Sequence, residues 1–124
     1  MRTVITAFLI IQSAIGFGQS ADFFVDKSVV KFPKTKEGAI LTHNFTIQNT
    51  GNSPLIISDF AVACSCTKVS LPPPIPPGQS AVVSIAFDTN GKYYQQDRTI
   101  LLTTNTKRKT EKLRFKVFVV PKEE

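Results

Sequence analysis

From Phe23 onward, apolar residues recur at every second position. Leu41, His43, Phe45 and Ile47 alternate with Thr42, Asn44, Thr46 and Gln48, the rhythm of a strand with one face buried. Ala81, Val83, Ile85 and Phe87 line another strand, and Ile100 and Leu102 share a face of a third over 96–105. Near the C-terminus Leu113, Phe115, Val117 and Val119 oppose Lys112, Arg114, Lys116 and Phe118. Val29 to Phe32 reads as a shorter strand. Turn residues separate these runs: KTKEG after Pro33, Asn49-Thr50-Gly51-Asn52 with its tolerance for positive φ, and Asp88-Thr89-Asn90-Gly91. Pro77-Gly78 suits the two central positions of a type II turn.

Between Leu55 and Cys66 the parity slips. Leu55 and Ile57 point one way, whereas Phe60, Val62, Cys64 and Cys66 sit on the other parity. A bulge near Ser58-Asp59 reconciles them and puts both thiols on the side of Phe60 and Val62. The segment from Ala63 to Gly78, with five prolines in the six positions 72–77, reads as a stiff crossover joining the two halves of a sandwich. About seven short antiparallel strands and no helical period predict an all-β, immunoglobulin-like β-sandwich.

Residues 1–18 stand apart. Met1-Arg2 supplies a positive charge, Val4 to Ile11 is almost uninterruptedly apolar, and Gly16-Phe17-Gly18 offers small residues before a cut at Gln19. That layout is a signal peptide. A membrane anchor needs roughly 20 apolar residues, and Gln12-Ser13 breaks this run first. The expected product is a single domain over residues 19–124, periplasmic or secreted, with no transmembrane segment and no cysteine near the cut to carry a lipid. The composition of the full chain is that of a globular protein, 42% apolar with ten phenylalanines and no tryptophan.

The net charge of +6 is unevenly spread, with Lys107, Arg108, Lys109, Lys112, Arg114 and Lys116 falling close together. Lys112, Arg114 and Lys116 share one strand face. They read either as charges that keep an edge strand from aggregating or as a surface for acidic polysaccharide or anionic headgroups. Nucleic acid is not the expected partner, since an exported protein meets little of it and no aromatic residues interleave the charges. Tyr93-Tyr94, in the turn after Gly91, is a candidate interface anchor.

Cys64 and Cys66 are the unusual chemistry. Residues two apart in an extended strand lie about 6.6 Å apart, near the upper limit for a disulfide, so a bond between them requires a kink. It would close a tiny loop and add little stability. The plainest role is that of small buried residues, free or locally linked. Redox work is the alternative, and metal binding a further one, with two thiolates forming half of a tetrahedral site. His43 is the sole histidine and lies on the core face, so no metal site and no cofactor are expected. No nucleophile elbow, phosphate loop or histidine–carboxylate constellation is apparent, which argues against an enzyme.

Lys36-Glu37-Gly38, Phe45, Asn49-Thr50-Gly51-Asn52, Pro54-Leu55-Ile56-Ile57, Cys64-Ser65-Cys66-Thr67, Ile75 and Pro77-Gly78 together resemble an exported bacterial family of domains of unknown function. That family carries a Cys-Gly-Cys-Thr signature and is related to the Hydin and abnormal-spindle immunoglobulin-like modules and to the major sperm protein fold. Ser65 stands where the family has glycine, and Phe32 is followed by Pro33 where it often has a glycine–aromatic pair. The resemblance implies a fold and an exported location, with no established activity. The expectation is thus a non-enzymatic interaction or structural module of the bacterial envelope, binding another envelope protein or an acidic envelope polymer. The alternative is a small periplasmic thiol-redox or metal-handling protein using Cys64 and Cys66.

Overall fold

A computed structural model describes residues 19–122 of the chain. The signal-peptide reading of residues 1–18 lies outside the described residues. Nine strands are formed: β1 (Phe23–Val25), β2 (Val29–Lys31), β3 (Thr35–Lys36), β4 (Ile40–Asn49), β5 (Ile57–Ala61), β6 (Thr67–Ser70), β7 (Ser80–Asp88), β8 (Tyr94–Thr104) and β9 (Thr110–Val120). One sheet has the order β1-β4-β7-β6; the other has β2-β9-β8-β5, with β3 also on β9. The molecule is an immunoglobulin-like sandwich, and no helix occurs among the described residues.

The inward faces are those the alternation specifies. Phe45, Ile47, Val83, Ile85 and Phe87 from one sheet meet Ile100, Leu102, Leu113, Phe115, Val117 and Val119 from the other, all essentially inaccessible to water. Phe87 and Phe115 meet across the interior with ring centroids 5.0 Å apart, and Phe32 abuts Phe115 edge to face at 6.0 Å. Burying these side chains is the main stabilising term, about 1.5–3 kcal/mol each.

Three features depart from the sequence reading. The pairing is not wholly antiparallel. After β1 pairs with β4, the chain changes sheets, and β2 and β3 run parallel to β9, with Val29 opposite Arg114 and Thr35 opposite Val119. Pro33 and the missing glycine–aromatic pair fall between them, where a strand cannot continue. The bulge lies between Ile57 and Asp59, as the parity slip requires, but the strand ends at Ala61 and the cysteines occupy a turn. Finally, the proline run is not the sheet crossover. It links β6 to β7, neighbours in one sheet, and the change of sheet just before it is made by residues 62–66. Mid-loop, Ile75 forms an isolated bridge to Leu55, with both backbone hydrogen bonds made (2.9 and 2.8 Å).

The segment 49–52 uses no positive φ. Gly51 is needed because a Cβ there would run into the backbone of Ser20 to Asp22. Gly78 does adopt φ +80°, and Gln79 N–H donates to Pro76 O (3.0 Å), closing the turn that Pro77-Gly78 encodes.

Candidate functional site

The outer face of the five-stranded sheet gathers the exposed chemistry. Alternation on β9 turns Lys112, Arg114, Lys116 and Phe118 away from the core. Beside β9, the parallel strands present a second row: Lys31 lies opposite Lys116 and Lys36 opposite Val120. Lys34, between them, holds its Nζ 5.7 Å from the centre of the Phe118 ring, a cation–π contact. On the other side Asp97 of β8 accepts a two-pronged hydrogen bond from Arg114, Nε to Oδ1 at 2.7 Å and Nη2 to Oδ2 at 2.6 Å. That fork, backed by the charge of Lys116, holds the Asp97 carboxyl below its ordinary range and the Arg114 guanidinium above its own.

Tyr93 and Tyr94 belong to the same face. Tyr94 is in register with Val119, whose side chain is fully buried, so a regular strand residue there would also point inward. Instead Tyr94 has φ +66°, and its ring lies 6.0 Å from Phe118 and 6.4 Å from Tyr93. The left-handed conformation thus re-aims a tyrosine onto the outer surface, at a local cost of roughly 1–2 kcal/mol. Tyr93, Tyr94 and Phe118 are 52%, 59% and 40% exposed, forming an aromatic cluster in water. The turn carrying the tyrosines is held by Glu37. Its carboxylate accepts from Gly91 N–H (2.8 Å) and from Lys122 N–H (3.0 Å), tying the β7–β8 turn to the segment after β9. These bonds, Lys122 first, hold the Glu37 carboxyl below its usual range.

The two groups singled out from the sequence, the tyrosine pair and the β9 cations, are therefore one surface joined by Phe118. Lys31, Lys34 and Lys36 are the members that sequence reasoning missed. Period two in β9 already marked Phe118 as outward. The parallel docking of β2 and β3, which brings the lysines alongside, has no signal in a single sequence. β9 is also not an edge strand: β8 flanks it throughout and β2 and β3 cover Arg114 to Val120. The anti-aggregation reading of its charges loses its ground there. Lys107, Arg108 and Lys109 crown the β8–β9 turn, with Arg108 paired to Glu111 at 3.4 Å.

Cys64 and Cys66 are joined in a disulfide, Cα to Cα 5.2 Å, a separation that the turn permits and an extended strand would not. Cys66 packs against the core alongside Phe60 and Val62, and Cys66 O accepts from Asp88 N–H (3.0 Å). Ser65 adopts no positive φ, so serine serves here as well as glycine. His43 is wedged edge to face against Phe45 (4.7 Å) and Phe32 (6.3 Å). Burial, aided by the nearby charge of Lys27, depresses its pKa and favours the neutral ring. No group of three metal-ligating side chains occurs among the described residues.

Comparison with solved structures places this architecture among known folds. A protein of unknown function from Porphyromonas gingivalis W83 superposes with a TM-score of 0.72 at 16% identity, covering 85% of this chain and 50% of that one. The ASH/PapD-like domain 7 of human CEP192 gives 0.58 at 13% identity, covering 96% and 98%. The Vibrio cholerae protease VesB gives 0.59 at 14% identity, covering 82% of this chain and 32% of the protease. The chain therefore spans half the length of the Porphyromonas protein and about a third of VesB, and at these identities the likeness is one of fold. No curated protein sequence matches significantly. The family described as a protein of unknown function, DUF1573, matches residues 23–119.

Proposed function

The chain belongs to the DUF1573 family, and from that premise we propose that it is a non-enzymatic, exported interaction module of the bacterial envelope. In this reading it binds an envelope protein or an acidic envelope polymer through the outer face of its five-stranded sheet. The observation that carries it is the Tyr94–Phe118 contact, which unites an exposed aromatic cluster with two rows of cations on one surface. Aromatic anchors beside basic groups are the usual makings of a recognition surface. The opposite sheet is mixed outside, with Thr42, Asn44, Ser84 and Ser70 on β4, β7 and β6 beside the exposed but scattered Phe24, Ile40 and Val82. The disulfide suits an oxidising compartment and so supports export.

The test is capture from native envelope by the wild-type protein, by Tyr93→Ala/Tyr94→Ala, and by a variant neutralised at Lys112, Arg114 and Lys116. Both variants should lose the bound material. Equal capture by all three would refute the assignment.

The formed Cys64–Cys66 bond favours one second reading, a small periplasmic thiol-redox protein. It requires a pair that reacts with thiols in the folded protein. A disulfide reducible only after unfolding excludes it.

A further inference from the structure

Resting on that reading of the face, we propose that its ligand is a linear acidic glycan lying along β9, with negative charge on successive sugars. Lys112, Arg114 and Lys116 stand at alternate positions of one strand, spaced by about 6.6–6.8 Å, and β2 and β3 place Lys31 and Lys36 roughly 4.8 Å to one side, with Lys34 in the link between them. The result is a track of charge running the length of the strand. Lys31 lies directly opposite Lys116 on one side, a juxtaposition of like charges that a bound anion would relieve, and Asp97 lies opposite Lys116 on the other. Asp97, the acidic neighbour on β8, is already engaged by both prongs of Arg114.

At the end of this track the chemistry changes to aromatic. Tyr94 and Phe118 are exposed beside Tyr93, with Lys34 over one ring, and Tyr94 is held there in a strained backbone conformation. Apolar C–H faces of sugar rings stack on such surfaces, while the carboxylates of the same polymer meet the lysines. A charged sugar chain uses both halves of the face. Two other polyanionic surfaces fit less well. A single-stranded nucleic acid wants stacking side chains interleaved with the cations, whereas here the rings cluster at one end. A bilayer presents a plane, and a twisted sheet touches a plane over only part of its length.

The experiment is gel retardation and calorimetric titration of the protein with polygalacturonate. Neutral dextran, an oligo-dT strand and vesicles of phosphatidylcholine and phosphatidylglycerol serve as comparison ligands. Polygalacturonate should bind, more weakly with added salt, and dextran should not. Lys31→Gln/Lys116→Gln should weaken binding about tenfold and flatten its salt dependence. Tyr94→Gly, which suits the local φ, and Phe118→Thr should each weaken it about fivefold with the salt dependence unchanged. Lys68→Gln, on the other sheet, should leave binding within about twofold, and thermal melts confirm that each variant is folded. The proposal is overturned if Lys68→Gln weakens binding as much as Lys31→Gln/Lys116→Gln. It is equally overturned if oligo-dT or the vesicles bind through the face and polygalacturonate does not. Loss of polygalacturonate binding alongside face-dependent envelope capture removes the glycan and keeps the binding module. Capture indifferent to the face removes the module itself.

Discussion

Asn49 Nδ2 donates a 2.9 Å hydrogen bond to the carbonyl of Ile75, joining the end of β4 to the middle of the proline loop. The same amide donates to Ser53 O (2.7 Å), and its Oδ1 accepts from Asp22 N–H (3.3 Å) and Gly51 N–H (2.9 Å). The Asn49 backbone pairs with the Pro77-Gly78 turn through Gly78 N–H and Gln79 O. Four hydrogen bonds from three segments thus converge on one fully buried polar side chain. Asn49→Ala should cost about 2–3 kcal/mol, a fall in Tm of roughly 10 °C or more, with the loss read by urea or thermal melts. A change under about 0.5 kcal/mol would show that the convergence is incidental.

Tyr94 predicts a divergence between stability and binding. Its φ of +66° is unfavourable for tyrosine and natural for glycine. Tyr94→Gly should leave stability unchanged or raise it by up to about 1 kcal/mol while impairing capture of the envelope partner. If stability falls with binding, the ring is a packing element and the strain has no bearing on recognition.

The disulfide spans a single intervening residue. The chain-entropy relation assigns so small a loop about 1.5 kcal/mol at most. Cys64→Ser/Cys66→Ser should therefore fold to the same structure with a Tm lower by less than about 12 °C, as measured by calorimetry with and without reductant. Failure to fold would make residues 62–66, the passage from β5 to β6, dependent on the covalent link.

Acid should loosen the tyrosine turn early. The Glu37 carboxyl titrates below its ordinary 4.5 because the charged form accepts the Lys122 and Gly91 amides. A depressed carboxylate contributes above its unfolded pKa, so its contribution is complete above about 4.5 and is lost as pH falls through the lower folded value. The protection of the Gly91 and Lys122 amides, taken relative to the intrinsic exchange rate at each pH, should fall over that range, and Glu37→Gln should show the lowered protection already at neutral pH. Protection that is insensitive to both pH and substitution would mean that other contacts hold the turn.

The sequence carried most of the sheet faces. Period two located Phe45, Phe87, Leu113 and Phe115 in the core, and the slip between Ile57 and Phe60 located the bulge. What it could not carry was partnership between distant strands. Nothing in Val29 to Lys36 distinguishes an antiparallel neighbour of β4 from a parallel neighbour of β9, because both would bury Val30 and Phe32. The proline run looked like the sheet crossing because rigidity and length suited it. The shorter turn at the cysteines suffices, since a chain changes sheets over a few residues once a strand ends. Tyr94 was legible only as an exposed aromatic; its inverted direction depends on a backbone torsion that alternation takes to be regular.

The parallel ladder between β2 and β9 also decides how the domain bears load. Because both strands run the same way, tension applied before Val29 and after Val120 slides them lengthwise past each other. Every bond from Arg114 N–H to Glu37 N–H then resists at once, as in a lap joint, where an antiparallel hairpin would peel open one rung at a time.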